Sequence, residues 1–411
     1  MANTSHSSSE DRFAAFSNTS FSRYFLARFL TYFATQIVSV AVGWQIYDLT
    51  SDPAYLGWIG LVQFTPALLL VVVTGITSDR FGRRLVMGLS ICTEMLCAIV
   101  ILGLAISGHF MPFYVLAVLT VFGVARAFHA PAASSLVVNI VPKELFANAV
   151  GWSTASWQLA GIVGPVAGGL LYGVSGAFAY GVAVILFLIA AILIFSIPKP
   201  TQTIEKEKSS LKQLVGGFSY VWKQKVILGA ISLDLFAVLL GGAVALMPVY
   251  ARDILDLGPD GLGLLRAAPG IGAVAMMGLI TAFPIRRHAG VLLFVSVAFF
   301  GLATIVFGAS TYAWLSIIAL MLVGGFDMVS VYIREVLMQL WTPDHVRGRV
   351  NAVNSIFIGA SNELGEFRAG FMAAAYGTVF TVTAGGAAAV AVAGLWAKMF
   401  PELRNAQTLD R

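Results

Sequence analysis

Residues 75–84 read GITSDRFGRR and gather Asp79, Arg80, Arg83 and Arg84 between two long apolar runs, in a chain that is 58% hydrophobic and only 11% charged. A mean hydropathy of +0.86 over 411 residues exceeds what a water-soluble core of this size uses, because a soluble globule must clothe itself in polar side chains. The chain is therefore built to lie in lipid, where only structures that satisfy every backbone group internally can span. Apolar runs of about 20 residues, the length a helix needs to cross a bilayer, recur throughout and select helices. The 41 glycines agree, since small residues let membrane helices approach closely. Cys92 and Cys97 share one apolar run at a spacing that matches no metal motif, and read as packing residues.

On either side of the charged stretch, apolar runs between turn signals predict spans over residues 22–48, 54–78, 85–106, 112–137, 147–172 and 177–196. A second set follows over 226–251, 260–284, 289–308, 313–340, 349–374 and 378–399. An all-α membrane protein of twelve helices in two six-helix sets is expected. Basic residues stay cytoplasmic in short loops. Here both termini, the central linker and the loops around Arg80, Lys143, Arg286 and Arg347 hold nearly all Lys and Arg outside the spans, whereas the opposite side holds only Arg252. Both termini are thus expected inside, and the net charge of +5 is a topology signal rather than a nucleic-acid footprint. The opening stretch MANTSHSSSEDRFAAFSNTS has no basic start followed by an apolar core and a cleavage site, so the first span is expected to act as its own insertion signal.

The chain divides into a tail (1–21), a first half (22–196), a linker (197–225), a second half (226–399) and a tail (400–411). The linker begins PKPTQTIEKEKSSLKQ; Ser210 with Gln213 forms a capping box, and Leu211, Leu214, Val215, Phe218 and Trp222 recur at helical spacing. A short amphipathic helix lying on the inner membrane surface is expected. Sliding the second half over the first by 203 residues brings Arg286 and Arg287 onto Arg83 and Arg84, and Gly278 onto Gly75; a shift of 201 brings Pro343 onto Pro142. Two parallel structural repeats are implied.

The stretch 75–84, placed in the loop after the second span, resembles the G-x-x-x-D-R-x-G-R-R signature of the major facilitator superfamily. Gly75 permits close helix approach, Gly82 a tight turn, and the arginines hold the loop inside. The resemblance implies a conformational latch made by Gly75, Asp79, Arg80, Gly82, Arg83 and Arg84, with Asp79 set against the positive N-terminal end of the eleventh helix near residues 348–351. The second half keeps no such latch, because Ala282 replaces the acid and Pro284 and Ile285 replace the Phe-Gly pair. In the fifth span, Gly161, Gly164, Pro165, Gly168 and Gly169 resemble the G-x-x-x-G-P-x-x-G-G signature of antiporters in that superfamily, with Gly161 one residue nearer to Gly164 than in that signature. Residues 125–149 and 342–370 look like the branch that includes the enterobactin exporter and drug-antiporter-like proteins.

The resemblance implies a proton-driven exporter in a bacterial inner membrane, expelling a small amphipathic substrate such as a siderophore, drug or related metabolite by alternating access. Protons and the lipid bilayer are its other partners, nucleic acid is not, no cofactor is implied, and a monomer is expected. A lysophospholipid flippase, an uptake permease and a non-transporting receptor of the same fold stay open. An enzyme is not expected, since no H-E-x-x-H, Gly-x-Ser-x-Gly or phosphate-loop pattern occurs.

A charge near the centre of a membrane helix costs roughly 2.5–3.5 kcal/mol on insertion scales, so such residues must face protein or a watery cavity. Glu94, Arg126, Asp234, Arg266, Asp327, Arg334, Glu335, Glu363, Glu366 and Arg368 stand inside the spans. The 201-residue shift lays Arg126 on Asp327, which makes Asp327 a candidate for the coupling proton with Arg126 as its partner; a fixed ion pair is the alternative. Asp234, Glu363 and Glu366 are further proton candidates, the last two on one helix face with Arg368 nearby as a neutralising partner. Glu94 is as readily a structural hydrogen-bonding group. Arg334 and Glu335 are read as reaching the interface. Arg266 either attracts an anionic substrate or caps Asp256 or Asp260. His129, one turn from Arg126, and the aromatics Trp44, Trp58, Phe64, Trp157, Phe236 and Tyr332 are candidates for the substrate cavity.

Overall fold

The computed structural model describes residues 12–199, 211–285 and 287–407. Among these the chain is helical, with no strands. Twelve long helices are labelled α1 (Thr19–Thr50), α2 (Pro53–Phe81), α3 (Arg83–Ile106), α4 (Pro112–Ile140), α5 (Phe146–Val174), α6 (Gly176–Phe195), α7 (Lys225–Ile254), α8 (Pro259–Ala282), α9 (Ala289–Ala309), α10 (Ala313–Trp341), α11 (Asp344–Tyr376) and α12 (Thr378–Met399). By length and composition eleven of them can cross a membrane; the exception, α11, carries Asn351, Asn354, Asn362, Glu363, Glu366 and Arg368, which lower its hydropathy below that of the others.

The helices begin and end where local chemistry dictates. Asn18 caps α1 by accepting from Ser20 N at 2.9 Å and Phe21 N at 3.3 Å. At the next corner Ser51 turns the chain at φ 50, Asp52 accepts from Ala54 N at 2.9 Å, and Pro53 starts α2 with no amide N–H left unpaired. Gly82, at φ 91, makes the turn into α3 in a region that suits glycine.

Packing repeats with a period of six helices. In the first half α1 packs on α5 and α6, α2 on α4, and α3 on α4 and α6; in the second, α7 packs on α11 and α12, α8 on α10, and α9 on α10 and α12. The cross pairs α2 with α11 and α8 with α5 are related in the same way. One apolar core is built only from the first half, including Ile91, Phe122 and Phe187, and another only from the second, including Leu233, Phe294 and Ile333. A third joins Val40, Tyr47 and Leu56 to Leu262, Phe307 and Ala369 across the seam. This is the two-half, twelve-helix architecture expected from the repeat.

One local expectation is corrected. The seventh span is not one continuous helix, because it breaks after Gly241, with Gly242 extended at ψ 128 and irregular turns up to Ile254. Pro248 has no amide hydrogen to continue the ladder. The carbonyls freed by the break are taken by Arg368, whose guanidinium donates to Leu239 O at 2.9 Å and Leu240 O at 2.6 Å. The linker carries a helix over Leu211–Lys223. It docks on α11, with Gly217 against the Arg349 backbone and the Phe218 ring 5.8 Å from Phe357, while Trp222 stays exposed. The proposed Ser210–Gln213 capping box and the side chains of Leu211, Leu214 and Val215 lie outside the described residues, as does Arg286.

Candidate functional site

Two adjoining cavities open between the halves. The larger, about 280 Å³, is walled by Gln36, Ser39 and Gly43 of α1, Gly60 and Gln63 of α2, Arg126 of α4, Pro165 of α5, Val244 and Met247 beyond the break in α7, Arg266 of α8, and Glu363 and Glu366 of α11. The other, about 250 Å³, lies on the first-half side and shares Gln63, Arg126 and Glu363 with it. Gly60 makes room for the two carboxylates. A Cβ placed there would meet Oε2 of Glu366 at 3.2 Å and Oε2 of Glu363 at 3.3 Å, so both oxygens converge on one point. Arg126 faces the cavity and donates to Gln63 Oε1 at 3.1 Å; Arg266 crosses the seam to donate to Ser39 Oγ at 2.8 Å and lies beside Gly43. Two guanidiniums and two carboxylates drawn from both halves thus share one space, and their formal charges cancel.

Several predicted site residues stand elsewhere. Arg126 and Asp327 are not brought together. Asp327 lines a separate cavity of about 150 Å³ among Phe300, Phe307, Leu320, Val323 and Asn362, and its charged neighbours are Asp234 and Arg334. Asp234 is not a free carboxylate but is ion-paired with Arg334, both buried. Arg334 therefore does not reach the interface, and Glu335 accepts from Asn354 Nδ2 at 3.1 Å. Arg368 serves the broken α7 rather than the α11 carboxylates. Arg266 caps neither Asp256 nor Asp260 but faces the cavity. Trp44, Trp157, Phe236 and Tyr332 line neither central cavity: Trp44 packs on the seam core, Trp157 is 49% exposed, Phe236 rests on Trp396 at 5.1 Å between ring centroids, and Tyr332 packs in the second-half core. The aromatic side chains in the cavity wall are Tyr32 and Phe64. His129 lines the first-half cavity with Glu94, its Nδ1 3.2 Å from Glu94 Oε1.

The Asp234–Arg334 pair gives a direct test. Asp234→Asn leaves a buried guanidinium unpaired, and should lower stability by about 3–5 kcal/mol, whereas the double change Asp234→Leu with Arg334→Met should recover most of it. Thermal unfolding in detergent reads both. A single variant as stable as the parent would show that the pair is open to water.

Contacts between the halves gather toward the end opposite the chain termini. Gly57 and Gly370 bring α2 and α11 together so closely that a Cβ on Gly370 would fall 2.6 Å from Gly57 N. The fifth-span glycines divide their work: Gly164 and Gly168 pack on Gln36 and Ile37 of α1, Gly169 meets Pro259 and Asp260 at the start of α8, and the Pro165 carbonyl rests on Gly263. A Cβ on Gly161 would meet no heavy atom beyond its own stretch of helix within 4 Å. At the same end Arg252 Nε pairs with Asp48 Oδ1 at 3.2 Å, and the Tyr47 hydroxyl donates to Asp253. This bridge was not anticipated, although Arg252 was marked in the sequence as the only basic residue on its side of the predicted topology. At the end with the termini, Arg83 donates to Ser135 O at 3.0 Å and Asn139 Oδ1 at 2.6 Å within the first half, and Arg84 donates to Ile197 O at the start of the linker. The Arg80 guanidinium lies 5.7 Å from the centre of the Phe81 ring. The side chains of Asp79 and its neighbour Ser78, and the surroundings of Gly75, lie outside the described residues.

With this geometry established, the chain was compared with known proteins. The family model described as Major Facilitator Superfamily matches residues 24–365. The enterobactin exporter EntS of Escherichia coli strain K12 is 24% identical over 395 residues, covering 94% of this chain and 92% of that protein. An uncharacterized MFS-type transporter of Bacillus subtilis strain 168, YkuC, is 25% identical over 322 residues, covering 73% of each. Among solved structures, a bacterial homolog of the human lysosomal transporter Spinster, inward-facing and occupied, matches with a TM-score of 0.75 at 14% identity, over 93% of this chain and 97% of that one. A D-xylose-proton symporter matches at 0.73 and 14% identity, over 94% and 98%. At these identities the structural matches establish the fold.

Proposed function

Since the chain belongs to the Major Facilitator Superfamily, and is thus a multi-pass membrane transporter, we propose that it is a secondary active exporter that expels a small amphipathic molecule in exchange for protons. The observation that carries this reading is the convergence of Glu363 and Glu366 over Gly60, facing Arg126 and Arg266 from both halves. A cluster whose charges cancel is changed electrostatically by each proton it gains or loses, and it stands where the halves must part and meet.

In this reading both termini are cytoplasmic, residues 22–196 and 226–399 rock against each other, and the structure has its outer end sealed by Gly57, Gly370, Gly169 and Gly263. Substrate enters from the cytoplasm into the cavities beside Tyr32 and Phe64. Glu363 and Glu366 take the coupling protons, and the family signature at residues 75–84 closes the inner end when the halves swing over. The 24% likeness to an enterobactin exporter favours export and includes catecholate siderophores among the substrates to be tried. The protein works as a monomer in a bacterial inner membrane.

The test is transport into proteoliposomes under an imposed pH gradient, with a catecholate siderophore and tetraphenylphosphonium as probes. Accumulation that collapses on adding a protonophore is expected for at least one of them. Flux indifferent to the protonophore would remove proton coupling and leave a uniporter or flippase.

A further inference from the structure

We propose that Glu94 and His129 form a second proton site, which passes protons between the α11 carboxylates and the end of the bundle that carries the termini; this rests on the proton-coupled reading of Glu363 and Glu366. Glu94 is 1% exposed and His129 5%. Their contact, at 3.2 Å, uses one oxygen and one ring nitrogen, and Glu94 Oε2 and His129 Nε2 are buried without a hydrogen-bond partner among the described residues. A pair kept only for stability would have those two atoms satisfied, because each unmade bond of a buried polar group is costly.

The position of the pair is also suited to a relay. Both residues line the first-half cavity, which Arg126, Gln63 and Glu363 share with the central one. His129 follows Arg126 by one turn toward Ile140, whose carbonyl is held by Asn18 at the start of α1. The pair therefore stands on the terminus side of the carboxylates. Around it stand Tyr32 of α1, Arg126 of α4 and Glu363 of α11, with Cys97 three residues after Glu94 on α3 and Arg28 over the Tyr32 ring; α2 presents Gln63, Phe64 and Ala67, and Tyr180 is the titratable residue of α6.

The proton balance is simple. A proton from cavity water binds His129 Nε2, the imidazolium gives its Nδ1 proton to Glu94 Oε1, and Glu94 releases that proton from its carboxyl group to water on the terminus side. The charges of the pair end as they began, with one proton moved and the ring left as its Nε2–H tautomer, which proton exchange with cavity water returns to Nδ1–H. Both ring nitrogens are used, which a histidine allows and an amide does not.

The experiment is infrared difference spectroscopy of the purified full-length protein between about pH 5 and pH 9, which reports protons gained and lost by individual carboxyl groups. A carboxyl band is expected that is lost in Glu94→Gln, is displaced or lost in His129→Asn, and persists in the Glu363→Gln, Glu366→Gln double variant. His129→Asn carries the test if Glu94→Gln does not fold. No Glu94 band in the parent, or a band unmoved by His129→Asn, would overturn the proposal and leave a structural pair. The Glu363 and Glu366 bands report separately: their absence would overturn the coupling assigned to α11, while a Glu94 band would still support the pair as a proton site.

Discussion

The double variant Glu363→Gln, Glu366→Gln is expected to equilibrate substrate across the membrane without concentrating it. A gradient of about one pH unit is worth about 1.4 kcal/mol per proton, enough for roughly tenfold accumulation per proton exchanged. That accumulation should vanish when neither side chain can exchange a proton, while the amides keep the shape of the site. The single changes should differ. Glu366→Gln acts beside Arg266, which donates to Ser39 and whose Nε has no hydrogen-bond partner among the described residues, so substrate affinity should change together with coupling. Glu363→Gln acts beside the exposed face of Arg126, which keeps Gln63, and its effect should fall mainly on coupling. Proteoliposome uptake with and without a protonophore measures both. Accumulation by the double variant equal to that of the parent would place the proton site elsewhere, with Asp327 next in line.

The second large effect is on conformation. A leucine at Gly370 would drive its side chain into the Gly57 backbone, and overpacking of this kind costs about 1–3 kcal/mol. In the proposed alternating-access reading the contact is lost when this end opens, so that cost falls on one conformation and should shift the population toward the opposite one by about 5–150-fold. Spin labels at Leu49 and Tyr376, both exposed near the sealed end, should report a longer distance in Gly370→Leu. Gly161→Leu, at a position where a Cβ would meet no heavy atom beyond its own stretch of helix within 4 Å, should leave the distance unchanged. An unaltered distance in Gly370→Leu would mean that the α2–α11 crossing does not hold the end shut.

Hydropathy, turn residues and the placement of Lys and Arg were enough to read the twelve helices, because each span is fixed by its own twenty or so residues. The break in α7 was not legible in the same way. Glycine pairs are common in membrane helices, and what decides the break is Arg368, which lies over a hundred residues further on and holds the freed carbonyls. The charges of the site were visible as costs inside spans, but their partners were not. The 201-residue register that laid Arg126 on Asp327 identifies equivalent positions on equivalent helices, and equivalence sets depth, not proximity. Asp327 accordingly sits in its own apolar cavity, and Glu363, in a helix with no repeat partner for its charge, faces the space that Arg126 faces. Aromatic residues were the hardest to assign. Phe236 and Trp157 are as aromatic as Tyr32 and Phe64, and only the packing of neighbouring helices tells which face the cavity.

Proton release measured in lightly buffered detergent, as tetraphenylphosphonium or a catecholate siderophore is added to the purified protein, tests proton exchange at α11 most directly. Release on binding is expected in the parent and in Asp327→Asn, and none in Glu363→Gln, Glu366→Gln. Binding without release in the parent, or release that survives the double change and disappears in Asp327→Asn, would contradict it.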